Sequence, residues 1–521
     1  MEKKGLIIQN DFVFSPEQLY NRQHVIDAIS GKTGIAKDDI KDFRIIRKSV
    51  DARKGVKFNV RLEIITHGAE FSLLSKDFKF KDVIKSKPLI IIGAGPAGYF
   101  AAIECLIQGR KPIVLERGKP IEERKYDIAD LNREHILNPD SNYAFGEGGA
   151  GTYSDGKLYT RSKKRGDITE VLQLLNYFGA NENILIEAHP HIGTDKLPNI
   201  MKNIRNKIIE CGGEVHFNKK VIDILIDTNK IYGVKTYDGE EYISESVILA
   251  TGHSARDVYR FLDFHNVKLE GKGFAMGVRV EHPQELIDSI QYKRSNRGKY
   301  LPAATYNLVK QIDDRGVYSF CMCPGGTIVN ASTENGYLVV NGMSNSRRNS
   351  PYANSGIVVE LRPEDSYQYS ENKTFSGIEF QKYMEQLAFQ NSAYKLSAPA
   401  QRLNDFVSGK ISRNLPDSSY YPGLINSPVH FWLPDFIGNR LRQAFKEFDK
   451  QMRGFLTNEA IVVGVETRTS SPVKIVRDTE SFCSINIEGL YPCGEGAGYA
   501  GGIVSSAVDG REVVKKIMIG K

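Results

Sequence analysis

The sequence predicts an α/β protein: a parallel, Rossmann-like nucleotide-binding sheet, split by a large mixed α+β insertion and preceded by a small α+β unit. Three observations carry this. PLIIIGAGPAG (88–98) reads as a buried strand, a glycine turn and the start of a helix. KPIVLERG (111–118) reads as a second strand that ends in an acid, Glu116. GLYPCGEGAGYAGGIVSSAVDG (489–510) repeats the strand–turn–helix pattern close to the end of the chain.

Taken in order, residues 1–86 form the leading unit. Residues 6–14 are strand-like. Residues 17–34 are helical, with Leu19, Val25, Ile26 and Ile29 on one stripe. Strands at about 42–50 and 56–66 follow, joined by a polar turn around Asp51 to Gly55. The pattern suits a ferredoxin-like sandwich, and without cysteine it cannot hold a cysteine-ligated cluster. The nucleotide-binding part spans 87–265, with helices at 97–108, 170–186 and 196–211. Three antiparallel strands at 214–218, 221–227 and 231–237 precede a buried strand at 246–252. Residues 266–460 are the insertion, opening with a strand at 273–281 and closing with a helix at 434–453. Residues 461–521 close the nucleotide-binding part with a strand at 485–493 and a helix at 500–517.

Composition is that of an ordinary globular protein, 41% hydrophobic and 26% charged. The net charge of +7 over 521 residues is mild. It suits an anionic ligand and does not argue for nucleic acid. The apolar run Leu89–Gly109 contains Gly93, Gly95, Pro96, Gly98 and Glu104, which suits a strand–turn–helix and not a membrane span. The start of the chain shows no secretion signal, and the six cysteines form no CxxC pair, so a reduced, cytoplasmic protein is expected.

The chemistry begins at Gly93-Ala94-Gly95-Pro96-Ala97-Gly98. The first glycine permits the tight turn, the second lets backbone approach a pyrophosphate, and the third lets helix and strand pack closely. The helix N-terminus, opened by Pro96 and Ala97, faces phosphate charge. Glu116 is placed to accept both hydroxyls of an adenosine ribose, with Arg117 beside it. FGEGGAGTYSDGKL supplies a second glycine loop, in which Gly149, Ala150, Ser154 and Lys157 can wrap pyrophosphate or sugar oxygens.

These features alone fit either NAD or FAD. Their order along the chain resembles the glutathione-reductase-type FAD fold: dinucleotide motif, acidic strand end, three-stranded meander, an ATG strand and a late glycine motif. The resemblance implies that Val221 contacts adenine through its backbone. It implies that Thr251 and Gly252 border the cofactor, and that Gly494 and Glu495 meet the ribityl chain. Glu495 stands where Asp is commoner in that fold. Gly501, Gly502 and Ile503 would open a helix toward the flavin pyrimidine, whose positive end stabilises negative charge on reduced flavin. More narrowly, the chain resembles the bacterial and plastid family of uncharacterised FAD-dependent dehydrogenases with an N-terminal extension. The strings that carry this are FGEGGAGTYSDGKLYTR, HPHIGTDKL, ILATGHSARD, YSFCMCPGG, NSPYANSGIVVE and VETRTSSPV. The resemblance implies FAD and an oxidoreductase of the dehydrogenase or reductase kind; it implies no substrate.

Candidate catalytic residues are Arg468 and Glu466 in VETRTSSPV, and His191 in HPHIGTD. Arg468 could hold an anionic substrate or stabilise charge on flavin. His191 could act as a general acid. The competing structural role for that string is N-capping of the next helix by Thr194 or Asp195. Cys321 and Cys323 lie two apart on a strand, hence on one side, and could relay electrons, although pocket lining is the simpler role. The basic runs 161–165 and Arg347–Arg348 are either solvated loops or an anion site. Trp432 reads as a hydrophobic plug before the 434–453 helix. No second glycine fingerprint follows a later strand, so NAD(P)H, as a transient reductant, would have to bind in the insertion. The expected function is hydride transfer through flavin N5 to or from a small molecule. The alternatives are a flavin-dependent RNA-modifying enzyme and a non-catalytic flavin-binding regulator. No metal is expected, and the oligomeric state stays open.

Overall fold

A computed structural model describes residues 5–159 and 166–519. The basic run 161–165 lies outside the described residues.

The leading unit packs two helices against a three-stranded antiparallel sheet ordered Ile7–Phe14, Lys57–Thr66, Ile40–Asp51. The expected single helix is two, Pro16–Leu19 and Arg22–Thr33, because two N-caps compete along it. Ser15 and Gln18 form a capping box on the first, and Asn21 accepts from the Gln23 and His24 amides on the second. Val25 and Ile29 meet Phe58, Val60, Leu62 and Ile64 in a core that continues into the insertion. Tyr20 stacks on Tyr300 at 4.8 Å across that junction.

The nucleotide-binding sheet is parallel, with strands ordered Leu490–Pro492, Val247–Leu249, Pro88–Ile92, Lys111–Leu115, Glu214–His216. Its edge strand comes from the end of the chain, so the fold closes only after the insertion. Glu214–His216 pairs with Ile113–Leu115 in this sheet, not in the meander where the sequence pattern put it. The meander is Val221–Asp227, Lys230–Thr236 and Glu241–Ile243. Alternating burial looks the same for a short parallel edge strand and a hairpin strand, so pattern alone does not separate them. The helix expected at 170–186 breaks into Ile168–Tyr177 and Asn183–Ile186 around Gly179, whose φ is +109°. The helix Pro96–Gln108 lies on the sheet against the last helix, Ile503–Ile519. Gly510 makes that approach possible: a Cβ there would sit 2.1 Å from the Ala97 carbonyl oxygen.

The insertion is built on a seven-stranded sheet ordered Val309–Ile312, Arg315–Cys323, Tyr352–Leu361, Phe274–Pro283, Ile461–Glu466, Ala398–Arg402, Leu424–Asn426. Ile461–Glu466, assigned from sequence to the closing segment, pairs with Phe274–Pro283 and Ala398–Arg402 and so belongs to this sheet. The helix Asp435–Gln451 covers it through Ile437, Leu441, Phe445 and Phe448. Trp432 lies over Gly464, where an added Cβ would come 3.0 Å from the indole ring.

Candidate functional site

One long cleft runs between the two sheets, bordered by the carboxyl ends of the parallel strands below and the insertion above. This is where an open parallel sheet takes a ligand. Its near end is lined by Glu116, Arg117, Phe145, Lys219 and Val221, its middle by Gly93, Gly95, Gly149 and Thr251. Glu495, Gly501, Gly502 and Ile503 follow, and Phe320, Cys321, Asn341 and Arg468 lie at the insertion side.

The glycine turn fits a dinucleotide on geometry alone. Gly93 has φ +104°, and a Cβ on it would meet the Ala250 carbonyl oxygen at 2.5 Å. A Cβ on Gly98 would come 1.9 Å from the Gly93 carbonyl oxygen, so only glycine lets helix and strand approach. At Gly95 the added Cβ would meet only the Gly149 Cα, 4.0 Å away; the space it would enter is the cleft. Gly95 caps its helix with no side-chain bond, leaving first-turn amides for an anion. Glu116 is buried and takes three amides: Ala94 on Oε2 at 2.8 Å, and Gly118 and Gly146 on Oε1 at 3.0 and 2.9 Å. A carboxylate oxygen accepts about two bonds, so Oε2 retains room for a ligand hydroxyl. Arg117 is held by Asp257 at 2.8 and 2.9 Å and lies over the Phe145 ring at 4.4 Å.

Toward the other end, Glu495 lies 3.9 Å from His253. Burial pushes the Glu495 carboxyl up to about 7, with the Gly502 amide and the Lys272 charge opposing. Burial, then the charges of Arg468 and Arg256, push His253 down to about 3, so its imidazole is neutral at physiological pH. His253 sits in ILATGHSARD, directly after the ATG strand; it was not singled out from sequence, although its position after that strand was the available signal. The Ile503–Ile519 helix begins here, with Gly502 at φ +96°.

Of the sequence-named cofactor residues, Gly93, Gly95, Pro96, Ala97, Glu116, Arg117, Gly149, Ala150, Ser154, Lys157, Val221, Thr251, Gly252, Glu495, Gly501, Gly502 and Ile503 line this cleft. Gly98 and Gly494 do not; they shape the backbone beneath it. The Gly494 amide donates to Asp509 Oδ2 at 2.7 Å, and Asp509 is paired with Arg477 at 2.6 Å.

The candidate catalytic residues separate. Arg468 lines the cleft, with Glu385 accepting from its Nε and Nη2 at 3.0 and 2.9 Å and Thr333 from Nη1 at 2.8 Å. Glu385 also accepts from Arg256, at 2.8 and 3.1 Å. Burial pushes the Glu385 carboxyl up, but the two guanidinium charges outweigh it and hold it at about 2. Glu466 is away from the cleft, fully buried, with Arg279 Nη1 donating at 2.7 Å. Arg279 also donates to the carbonyl of Cys321 at 2.7 Å, so the pair braces the cleft wall from behind. His191 is likewise off the cleft, at 3.1 Å from the Ser346 carbonyl, with its pKa lowered by burial and then by Arg348. Neither Thr194 nor Asp195 caps the Leu197–Glu210 helix, whose N-cap Lys196 makes no side-chain bond. Asp195 instead takes the Ser346 amide and hydroxyl at 2.6 and 2.7 Å. HPHIGTD thus ties the nucleotide-binding part to the insertion.

Cys321 and Cys323 do not share a strand face in the expected way. A bulge between Phe320 and Cys323, with Cys321 at φ +44°, breaks the alternation. Both cysteines line the cleft; Cys321 is exposed, while Cys323 is buried and donates to the Cys321 carbonyl at 3.2 Å. Arg348 does not line the cleft and is paired with Asp155; Trp432 packs on the sheet as expected. Among the described residues there is no group able to hold a metal, and no helix is long and apolar enough to cross a membrane.

Residues 273–469 match a family described as FAD-dependent protein, C-terminal domain-like, and residues 7–65 match a domain of unknown function. The first match ends just past Ile461–Glu466, as the sheet does. A protein of Clostridium beijerinckii, described as uncharacterized, is 41% identical over 511 residues, 94% of this chain and 95% of the relative. Among solved structures, a flavin-dependent brominase aligns at TM-score 0.35 with 14% identity, over 83% of this chain and 79% of that one. Glycine oxidase from Bacillus cereus aligns at 0.31 with 13% identity, over 85% and 96%. The cleft has the glycines, the acid and the helix end that a flavin dinucleotide needs, and nearly the whole chain has its counterpart in the clostridial protein. The chain belongs to one family with that relative, its residues 273–469 match the FAD-dependent C-terminal domain-like model, and FAD is its cofactor.

Proposed function

We propose that this flavoprotein is an oxidoreductase that passes hydride between flavin N5 and a small anionic molecule admitted from the insertion side. One observation carries the reading. A second opening, lined by Phe274, Tyr318, Phe320, Glu360, Arg362, Thr469 and Ser470, shares Phe320 and Thr469 with the cleft. It adjoins the insertion end of the cleft, and on this proposal the small molecule enters from that side. When bound, FAD supplies a two-electron carrier.

The residues around that end do the rest. Arg468 presents a cation to an incoming anion, and Glu385 and Arg256 fix its plane. The Gly501–Ile503 turn opens a helix at the cleft, and its positive end would stabilise negative charge on a reduced flavin. His253, neutral, offers no competing positive charge beside Glu495. Lys157 donates to the Met322 carbonyl and, with Arg279 on the Cys321 carbonyl, holds the bulge that forms the wall.

The test is anaerobic addition of NADH or NADPH to the flavin-loaded protein while flavin absorbance is followed. Bleaching by either identifies a pyridine nucleotide as reductant at this opening. No bleaching, and none with a panel of small carboxylic or amino acids, would overturn the reading. Arg468→Ala should raise the KM of an anionic reductant on the order of 100-fold, as expected for loss of a charge-assisted contact.

A further inference from the structure

Arg124, on the helix Ile121–Arg133, is fully buried, and the hydrogen bonds of its guanidinium all go to main-chain carbonyls. Nε donates to Asn142 at 2.8 Å, and Nη1 to Glu147 and Gly149 at 2.7 and 3.0 Å. The cation lies over the Tyr153 ring at 4.9 Å, and Nη2 has no hydrogen-bond partner. The carboxylates of Glu116 and Glu147 act on it only through space, without a hydrogen bond, and a buried cation with no direct ion pair is costly. Gly146 is shaped around it: φ is +110°, and a Cβ there would lie 2.5 Å from Arg124 Cδ.

Its partners belong to the second glycine loop. Gly149 lines the cleft opposite Gly95, the glycine whose Cβ would enter ligand space. In a trans peptide the carbonyl and the following N–H point in opposite directions. Fixing the Gly149 carbonyl on Arg124 therefore turns the Ala150 N–H away from the arginine, and Ala150 lines the cleft.

We propose that Arg124 is the positioning residue for the pyrophosphate of the bound dinucleotide. It orients the Ala150 amide toward the cleft, and sets a positive charge one hydrogen bond behind it. The proposal rests on FAD occupying this cleft. It gives Arg124 no contact with the ligand and no part in the redox step.

The experiment compares full-length wild type, Arg124→Met and Arg124→Lys, freed of flavin, for affinity toward FAD, ADP and adenosine, with far-UV circular dichroism as a folding check. In R124M, FAD and ADP should bind on the order of 10- to 100-fold more weakly, the loss expected when one amide and a nearby positive charge are no longer set toward the phosphates, while adenosine binds as before. R124K should recover part of the loss. Wild-type affinity for FAD in a folded R124M, or equal losses for ADP and adenosine, would overturn the proposal. If R124M does not fold, R124K decides: a several-fold loss for ADP and none for adenosine supports the proposal, and unchanged ADP affinity overturns it. Failure of wild type to bind FAD would instead sink the cofactor assignment.

Discussion

Two glycines one turn apart carry opposite jobs. Gly95 keeps a Cβ out of the cleft, whereas Gly98 keeps one out of the Gly93 carbonyl. Gly95→Ala should leave the melting temperature of the flavin-free protein unchanged and weaken FAD binding at least 10-fold. Gly98→Ala should instead destabilise the fold by about 1–3 kcal/mol, the usual cost of overpacking; thermal melts and flavin titration separate the two. Glu495 carries a pH signature. Its carboxyl is raised by burial from 4.5 to about 7, so across that window the folded state holds a proton that the unfolded chain has lost. Stability of the flavin-free protein is therefore fullest below about 4.5 on this account and declines as pH rises toward 7. Glu495→Gln should flatten that part of the melting-temperature profile, and Glu495→Ala should weaken flavin retention. These residues were legible in the sequence because glycine spacing and an acid after a glycine encode backbone geometry. His253, Glu385 and Arg279 were not, because each gains its role from partners far along the chain.

At the scale of elements, the Arg256–Glu385–Arg468 cluster joins the helix Arg256–Phe264, the helix Ser376–Gln390 and the segment after Ile461–Glu466. Three elements meet on one buried carboxylate. Glu385→Gln leaves two guanidinium groups without their shared charge and should cost about 3–5 kcal/mol by denaturant unfolding. A cost below 1 kcal/mol would show that Glu334, 3.3 Å from Arg256, suffices alone. Element boundaries were read less well than element kinds. The Glu214–His216 strand and the break at Gly179 show why: local pattern reports burial and propensity, not which neighbour a strand will pair with.

For the whole molecule, the parallel sheet is incomplete until Leu490–Pro492 pairs with Val247–Leu249. A chain truncated before residue 485 should lose flavin altogether while the insertion, with its own seven-stranded sheet, keeps a cooperative melt. Retained flavin in such a truncation would contradict the closing role given to the last strand and helix. The sequence by itself determined the glycine turns, the acid after the second strand, the late return of the nucleotide-binding pattern and a dinucleotide as the ligand. Those features are local, written in residues whose backbone freedom or charge acts within a few positions. Only the tertiary structure decided that Glu466 braces a wall, that His191 and Asp195 tie two parts together, and that Ile461–Glu466 belongs to the insertion. Those outcomes depend on contacts between residues more than a hundred positions apart, which are set by packing and pairing across the whole chain and leave no spacing for a local pattern to record.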